Sequence, residues 1–103
     1  MIYYLAARSE WEEAKRRKAE VALPGECENF VHCCSERQVQ FARTTYFPAD
    51  QQIVALAIDP TRLSSETRYE FGSGGETERF PHVYGPIHVS DVAEVSTIGV
   101  APR

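Results

Sequence analysis

The chain lacks any run of the ~18–20 consecutive apolar residues that a membrane-crossing helix needs. It also lacks a basic surplus, with 11 Lys and Arg against 15 Asp and Glu and a formal charge of −4. Without a positive field there is no counterion-release grip on duplex DNA, so neither DNA nor a membrane is an expected partner. Met1 to Ala7 is too short, and too poor in basic flanks, for a secretory signal, which makes the cytoplasm the expected compartment. Cysteine is scarce and odd in number, at three, which excludes a fully paired disulfide framework and leaves Cys33 and Cys34 as expected thiols. There is no CxxC pair, and Cys27, His32 and the Cys33–Cys34 neighbours lack a second ligand pair elsewhere, so no metal site is expected. GxSxG and HExxH are absent. The glycine-rich stretch from Gly72 to Gly75 is followed by Glu76 and Thr77, where a phosphate-binding loop needs Lys and then Ser or Thr, and reads as a hairpin loop.

What is present is a composition able to bury a core: 43% hydrophobic residues, 25% charged, and six each of Gly and Pro in 103 residues. These values exclude disorder, collagen-like repeats and coiled coil, and predict one domain over residues 1–103. Ile2 to Ala6 is a short apolar run, and Ser9 with Glu12 spells a capping box that opens a helix over about 9–19, anchored by Trp11 and closed by the basic Lys15–Lys18 end. Phe30 to Cys34 has strand length. Ser35 with Gln38 is a second capping box, for a helix to about Tyr46 with Val39, Ala42 and Tyr46 on one face, stopped at Pro48. Ile53 to Ile58 is apolar throughout, the signature of a strand buried on both faces at the sheet centre. Arg68 to Phe71 alternates as a strand. The prolines in Arg79–Ile87 mark an edge or an extended loop, and Val92 to Ile98 is the last strand. Two early helices followed by strands give an α+β fold with a mixed or antiparallel sheet.

Chemistry concentrates in four places. His32 stands in the Phe30–Cys34 run just before a helix start, where alternation puts Phe30, His32 and Cys34 on one face. A neutral imidazole there suits a ribose hydroxyl or general-base work, and the free N–H groups at Ser35 suit an anion; the competing reading is a core histidine bonded to backbone. His82 and Tyr84 flank Val83 and face the same way between stiffening prolines, a ledge for a planar ligand or else a proline-shaped turn. Arg68 and Glu70 share a strand face, as a cation for phosphate beside an acid for developing positive charge, or as a solvated ion pair. His88 has no such frame and is assigned to the surface. Cys33 as a nucleophile has no base, because the adjacent His32 points the other way.

Several segments together resemble one small bacterial family, the domain of unknown function 952: Ile2-Tyr3-Tyr4 with Trp11-Glu12, Phe30-Val31-His32-Cys33 with Gln38, Ile58-Asp59 with Leu63, Arg68-Tyr69-Glu70, and Phe80-Pro81-His82-Val83-Tyr84-Gly85-Pro86. The last string is the most specific. The family is grouped by fold with the ADP-ribosyltransferase superfamily, so the resemblance implies an ADP-ribosyltransferase-like fold and a small nucleotide partner, with NAD as substrate and split at its ribose. By the same resemblance His32 matches the histidine that holds the NAD ribose. His32, Glu70 and His82 become the catalytic candidates, Ser35, Arg68 and Tyr84 the ligand-binding ones, and Glu94 a second candidate for the charge-stabilising glutamate. Tyr4, Asn29 and Cys34 depart from the residues usual in the family. The competing function is a non-catalytic module on the same fold that senses a nucleotide or binds a protein.

Overall fold

The structure, a computed structural model, describes residues 1–26, 28–72 and 77–100. In chain order it contains β1 (Ile2–Ala7), α1 (Arg8–Arg17), β2 (Glu20–Ala22), β3 (Val31–His32), β4 (Cys34–Ser35), α2 (Val39–Tyr46), β5 (Ile53–Ile58), β6 (Thr67–Phe71), β7 (Arg79–Val83), β8 (Ile87–His88) and β9 (Val92–Ile98). This is an α+β fold with two helices, and all its strand pairings are antiparallel. Among the described residues no helix is long and apolar enough to cross a membrane.

The larger sheet runs β4-β1-β5-β9. All six residues of β5 are buried, as a continuous apolar run requires when both sheet faces are covered. On one face Ile53 and Ala55 pack with Leu5, Cys34 and Ala42 of α2. On the other, Val54 and Leu56 pack with Ala6 and Trp11 of α1. A third cluster of Ile2, Val31, Cys33, Ile58, Val83 and Ile87 joins this sheet to the smaller sheets β3-β7-β6 and β2-β8.

Four local expectations change. Helix α1 starts at Arg8, not at Ser9: Glu10 Oε1 accepts the Ala7 N–H at 3.1 Å and the Arg8 N–H reaches Gln52 O at 2.9 Å, so β1 runs directly into the helix. Its last residue is Arg17, with Lys18 at a φ of 50° as the left-handed C-cap, so the basic run closes the helix as expected. The second start keeps half of its box, with Gln38 Oε1 accepting the Ser35 N–H at 2.9 Å, and its first turn is a 3-10 turn over Glu36–Gln38 before α2.

The Phe30–Cys34 run is not one strand. It breaks at Cys33, with β3 joining β7 and β4 joining β1. Adjacent Cys33 and Cys34 are both buried, which one half-exposed strand cannot achieve, so the chain twists between sheets and Cys34 leaves the face of Phe30 and His32. The Arg79–Val83 segment is likewise not an edge: β7 is the middle strand of its sheet. Pro81 is tolerated because its carbonyl, which accepts the Cys33 N–H at 3.0 Å, marks the side on which its missing N–H would lie, where β3 has already stopped. The loop residues 73–76, read as a hairpin loop together with Gly72, lie outside the described residues.

Candidate functional site

Cross-strand partners in a sheet share a face, and alternation extends that face by two residues each way. In the sheet β3-β7-β6 the register is His32 opposite His82 and His82 opposite Arg68, one row of three side chains. Two steps along, Phe30, Phe80, Tyr84, Glu66 and Glu70 fall on the same face. Val31, Pro81 and Val83 take the opposite face and are buried. The small sheet is thus a plate with an apolar back and a front that carries every titratable group of interest.

On that front Glu70 Oε1 accepts the Tyr84 hydroxyl at 2.6 Å and lies 3.0 Å from His82 Nδ1. A carboxylate only accepts, so Nδ1 carries a proton, and in the neutral ring Nε2 keeps its lone pair. His82 is 1% exposed, and its Nε2 has no hydrogen-bond partner among the described residues. The Phe30 ring stacks on the imidazole, centroids 4.0 Å apart and 10° between planes. His32 meets it edge-on at 5.3 Å and is held in turn by Glu28, whose Oε1 lies 2.9 Å from His32 Nε2. Arg68 places its guanidinium 4.5 Å above the Tyr84 ring and pairs with Glu66 at 3.0 Å. The Tyr84 hydroxyl bond, and then the His82 bond, hold the Glu70 carboxyl below its ordinary range, and the same carboxylate raises the Tyr84 phenol.

A cleft of about 510 Å3 opens beside this plate, lined by Phe30, His32, His82 and Phe80 and also by Tyr3 and Tyr4. It exists because β4 pairs with β1 only at Ile2 and Tyr3, leaving the rest of the β1 edge open. Glu10 and Glu28 also line it, and no Lys or Arg does so among the described residues. His32 and His82 therefore belong to the cleft wall, His82 under the Phe30 ring, whereas Glu70, Tyr84 and Arg68 do not line it. Ser35 does not line it, its N–H being taken by Gln38, and Glu94 stands on β9 opposite Ala57. His32 is exposed rather than a core histidine, and His88 is exposed as expected. The sequence reading missed Glu28 and the stacking role of Phe30, although the i, i+2 and i+4 spacing of Glu28, Phe30 and His32 carried that signal.

Cys33 and Cys34 are free and buried. Burial raises the Cys33 thiol far above its ordinary value and pushes Cys34 up to about 12. With so little thiolate near neutral pH, a mild alkylating reagent is expected to label them at least 100-fold more slowly in the native protein than in denaturant. Mass spectrometry of a labelling time course, reading the peptide that carries both residues, checks this; equal rates would contradict it.

An α+β protein whose small antiparallel sheet presents a carboxylate-held histidine to an acidic cleft is the class that fold and site define. Within it, the family described as protein of unknown function (DUF952) matches residues 5–95, and the chain belongs to that family. It is similar to CC0527 from Caulobacter crescentus. The crystal structure of that protein is 28% identical, with 93% of this chain and 83% of that one covered and a TM-score of 0.73. Its solution NMR structure is 28% identical, with 97% and 85% covered and a TM-score of 0.75. No curated protein matches the chain.

Proposed function

We propose that the protein is an ADP-ribosyltransferase-like enzyme acting on NAD or a related ribose-containing nucleotide, with the cleft receiving the ribose and its attached ring. The observation that carries this reading is the buried, unpartnered Nε2 of His82 on the cleft wall, its tautomer fixed by Glu70. Glu–His pairs of this kind supply general bases. In the reaction the bond between C1′ of the ribose and the nicotinamide nitrogen breaks. Nicotinamide leaves neutral with the bonding pair, so it needs no acid. An acceptor hydroxyl or water attacks C1′ as its proton passes to His82 Nε2. The acidic lining from Glu10 and Glu28 suits the cationic ring and the positive charge that develops on the ribose, and phosphates stay towards solvent.

In this reading His32, at the rim and oriented by Glu28, holds a ribose hydroxyl. Phe30 slides off His82 to stack on the incoming ring. Arg68, Tyr84 and Glu70 act as positioning residues behind His82. The experiment is incubation of the protein with NAD, with nicotinamide release read by chromatography. Release above the uncatalysed rate supports the enzyme. Saturable NAD binding without product supports the non-catalytic sensing module, a reading favoured by one observation, the cover that Phe30 places over His82.

His32→Ala separates a ligand residue from a structural one. An exposed histidine serves the fold little, so its thermal stability should stay within about 1 kcal/mol of wild type, while NAD affinity falls tenfold or more. Paired melts and NAD titrations check this. Unchanged affinity would remove His32 from the site.

A further inference from the structure

Among the described residues the longest strand on an open sheet edge is β9. In the order β4-β1-β5-β9 it pairs with β5 on one side only, and five of its seven residues are exposed. Strands β3 and β4 are two residues long, and β6 carries Arg68 and Glu70. By contrast β9 reads Val-Ala-Glu-Val-Ser-Thr-Ile, with no proline, no Lys or Arg, and Glu94 as its one charge. Natural edges of this length are usually blunted by lysine, proline or a cover, because open N–H and C=O groups pair with any strand that fits.

The direction of those backbone groups follows from one contact. The Arg8 N–H donates to Gln52 O at 2.9 Å, so Gln52, Val54 and Leu56 turn their backbone groups towards β1, while Ile53, Ala55 and Ala57 turn theirs towards β9. The partners of the latter three are Ile98, Ser96 and Glu94. Val95 and Thr97 therefore present their N–H and C=O outwards, and the irregularity opposite Ala57 and Ile58 falls at Ala93.

This edge is self-complementary. Antiparallel pairing of two copies about Val95 sets Val95 opposite Val95, Glu94 opposite Ser96 of the second copy, and Thr97 opposite Ala93. The Val95 pair exchanges two backbone hydrogen bonds, Val95 (45% exposed) is covered by its own counterpart, and each Glu94 carboxylate meets a serine hydroxyl. Moving the pairing centre by one residue towards the start of the strand places Glu94 opposite Glu94, a like-charge pair that disfavours that slip, while a move the other way sets Ser96 opposite Ser96 and is told apart by the cross-linking below. We propose that the protein associates with a second copy of itself through β9, centred on Val95, joining two four-stranded sheets into one of eight. This is independent of the ligand reading.

Sedimentation of the whole chain from about 1 to 200 µM tests it, since a self-association is concentration-dependent. Wild type is expected to show dimer mass. Val95→Pro removes only an outward N–H, at an edge position where proline is tolerated, and should shift the dissociation constant at least tenfold towards monomer with an unchanged far-UV spectrum. Should that variant fail to fold, Val95→Lys gives the same reading by charge. Under mild oxidation Val95→Cys should cross-link into a covalent dimer, because Cα atoms of a bonded pair lie about 5.5 Å apart, whereas Ser96→Cys should not. Monomer mass throughout, dimer mass unaffected by both Val95→Pro and Val95→Lys, or preferential cross-linking of Ser96→Cys would each overturn the proposal. A β9 edge that pairs with another protein's strand and not with its own copy would leave the pure wild-type chain a monomer, and counts against the proposal.

Discussion

Arg43→Met is expected to lower the thermal midpoint by about 12–24 °C, the equivalent of about 3 kcal/mol in a domain of this size. Arg43 is 2% exposed on α2, an unusual place for a guanidinium. It donates to the carbonyls of Ile98 at 3.1 Å, Pro48 at 3.2 Å, Ala49 at 3.4 Å and Gln51 at 2.8 Å. These acceptors belong to the turn after α2 and to the end of β9, so one side chain ties the helix, its exit turn and the last strand together. Methionine matches the stem but removes four hydrogen bonds made by a charged donor to part-buried carbonyls, and bonds to charged groups are worth about 1.5–3 kcal/mol each at most. Calorimetry reads the result directly. A shift below about 4 °C would mean that the carbonyls find water and that Arg43 is dispensable.

For the proposed NAD cleavage, His82→Ala is expected to lower the rate of nicotinamide release by about 10²–10⁴, the usual worth of a general base, with the assay run well below the variant's melt. Glu70→Gln should give a smaller loss, about tenfold or more, because the amide keeps an acceptor near Nδ1 but loses the charge that favours an imidazolium. Glu70 is held below the ordinary carboxylate range by Tyr84 and His82. A depressed folded value means that its contribution is fully present above the ordinary value of about 4.3 and is lost as pH falls through the depressed one. Glu70 therefore keeps its hold on Tyr84 and His82 to a lower pH than a free carboxylate would, and the stability that wild type has over Glu70→Gln should persist at neutral pH and disappear only as pH falls through that depressed range, which melts of the two proteins along a pH series read. A variant set with unchanged rates would leave the Glu70–His82 pair structural.

Legibility of the sequence followed the length of the signal. Six apolar residues in a row at Ile53–Ile58 have one good home, and the centre of the sheet is where they lie. Alternation placed Arg68 with Glu70 and His82 with Tyr84, because period two survives any rearrangement of neighbouring strands. What alternation does not carry is which strand pairs with which. The row of His32, His82 and Arg68 exists only because β7 sits between β3 and β6, and a proline in its middle argued for an edge. The break at Cys33 was hidden for a related reason: five residues of apparent strand are shared between two sheets, and no residue in the run is a breaker. The burial of Arg43 has no local signal in the sequence, since the carbonyls that surround it come from Pro48 to Gln51 and from Ile98, contacts set by the tertiary fold.

The central claim is that one face of the small sheet, with its cleft, is a single ligand site for a nucleotide. The most direct test is titration of isotope-labelled protein with NAD, followed through the ring resonances of its three histidines. His32 and His82 share the cleft, while His88 lies on β8 beside Asp91 and serves as an internal control. The account predicts that the His32 and His82 rings move together along one saturable curve while His88 stays in place. Saturation that leaves the His32 and His82 rings unmoved, or that moves His88 with them equally, would contradict it.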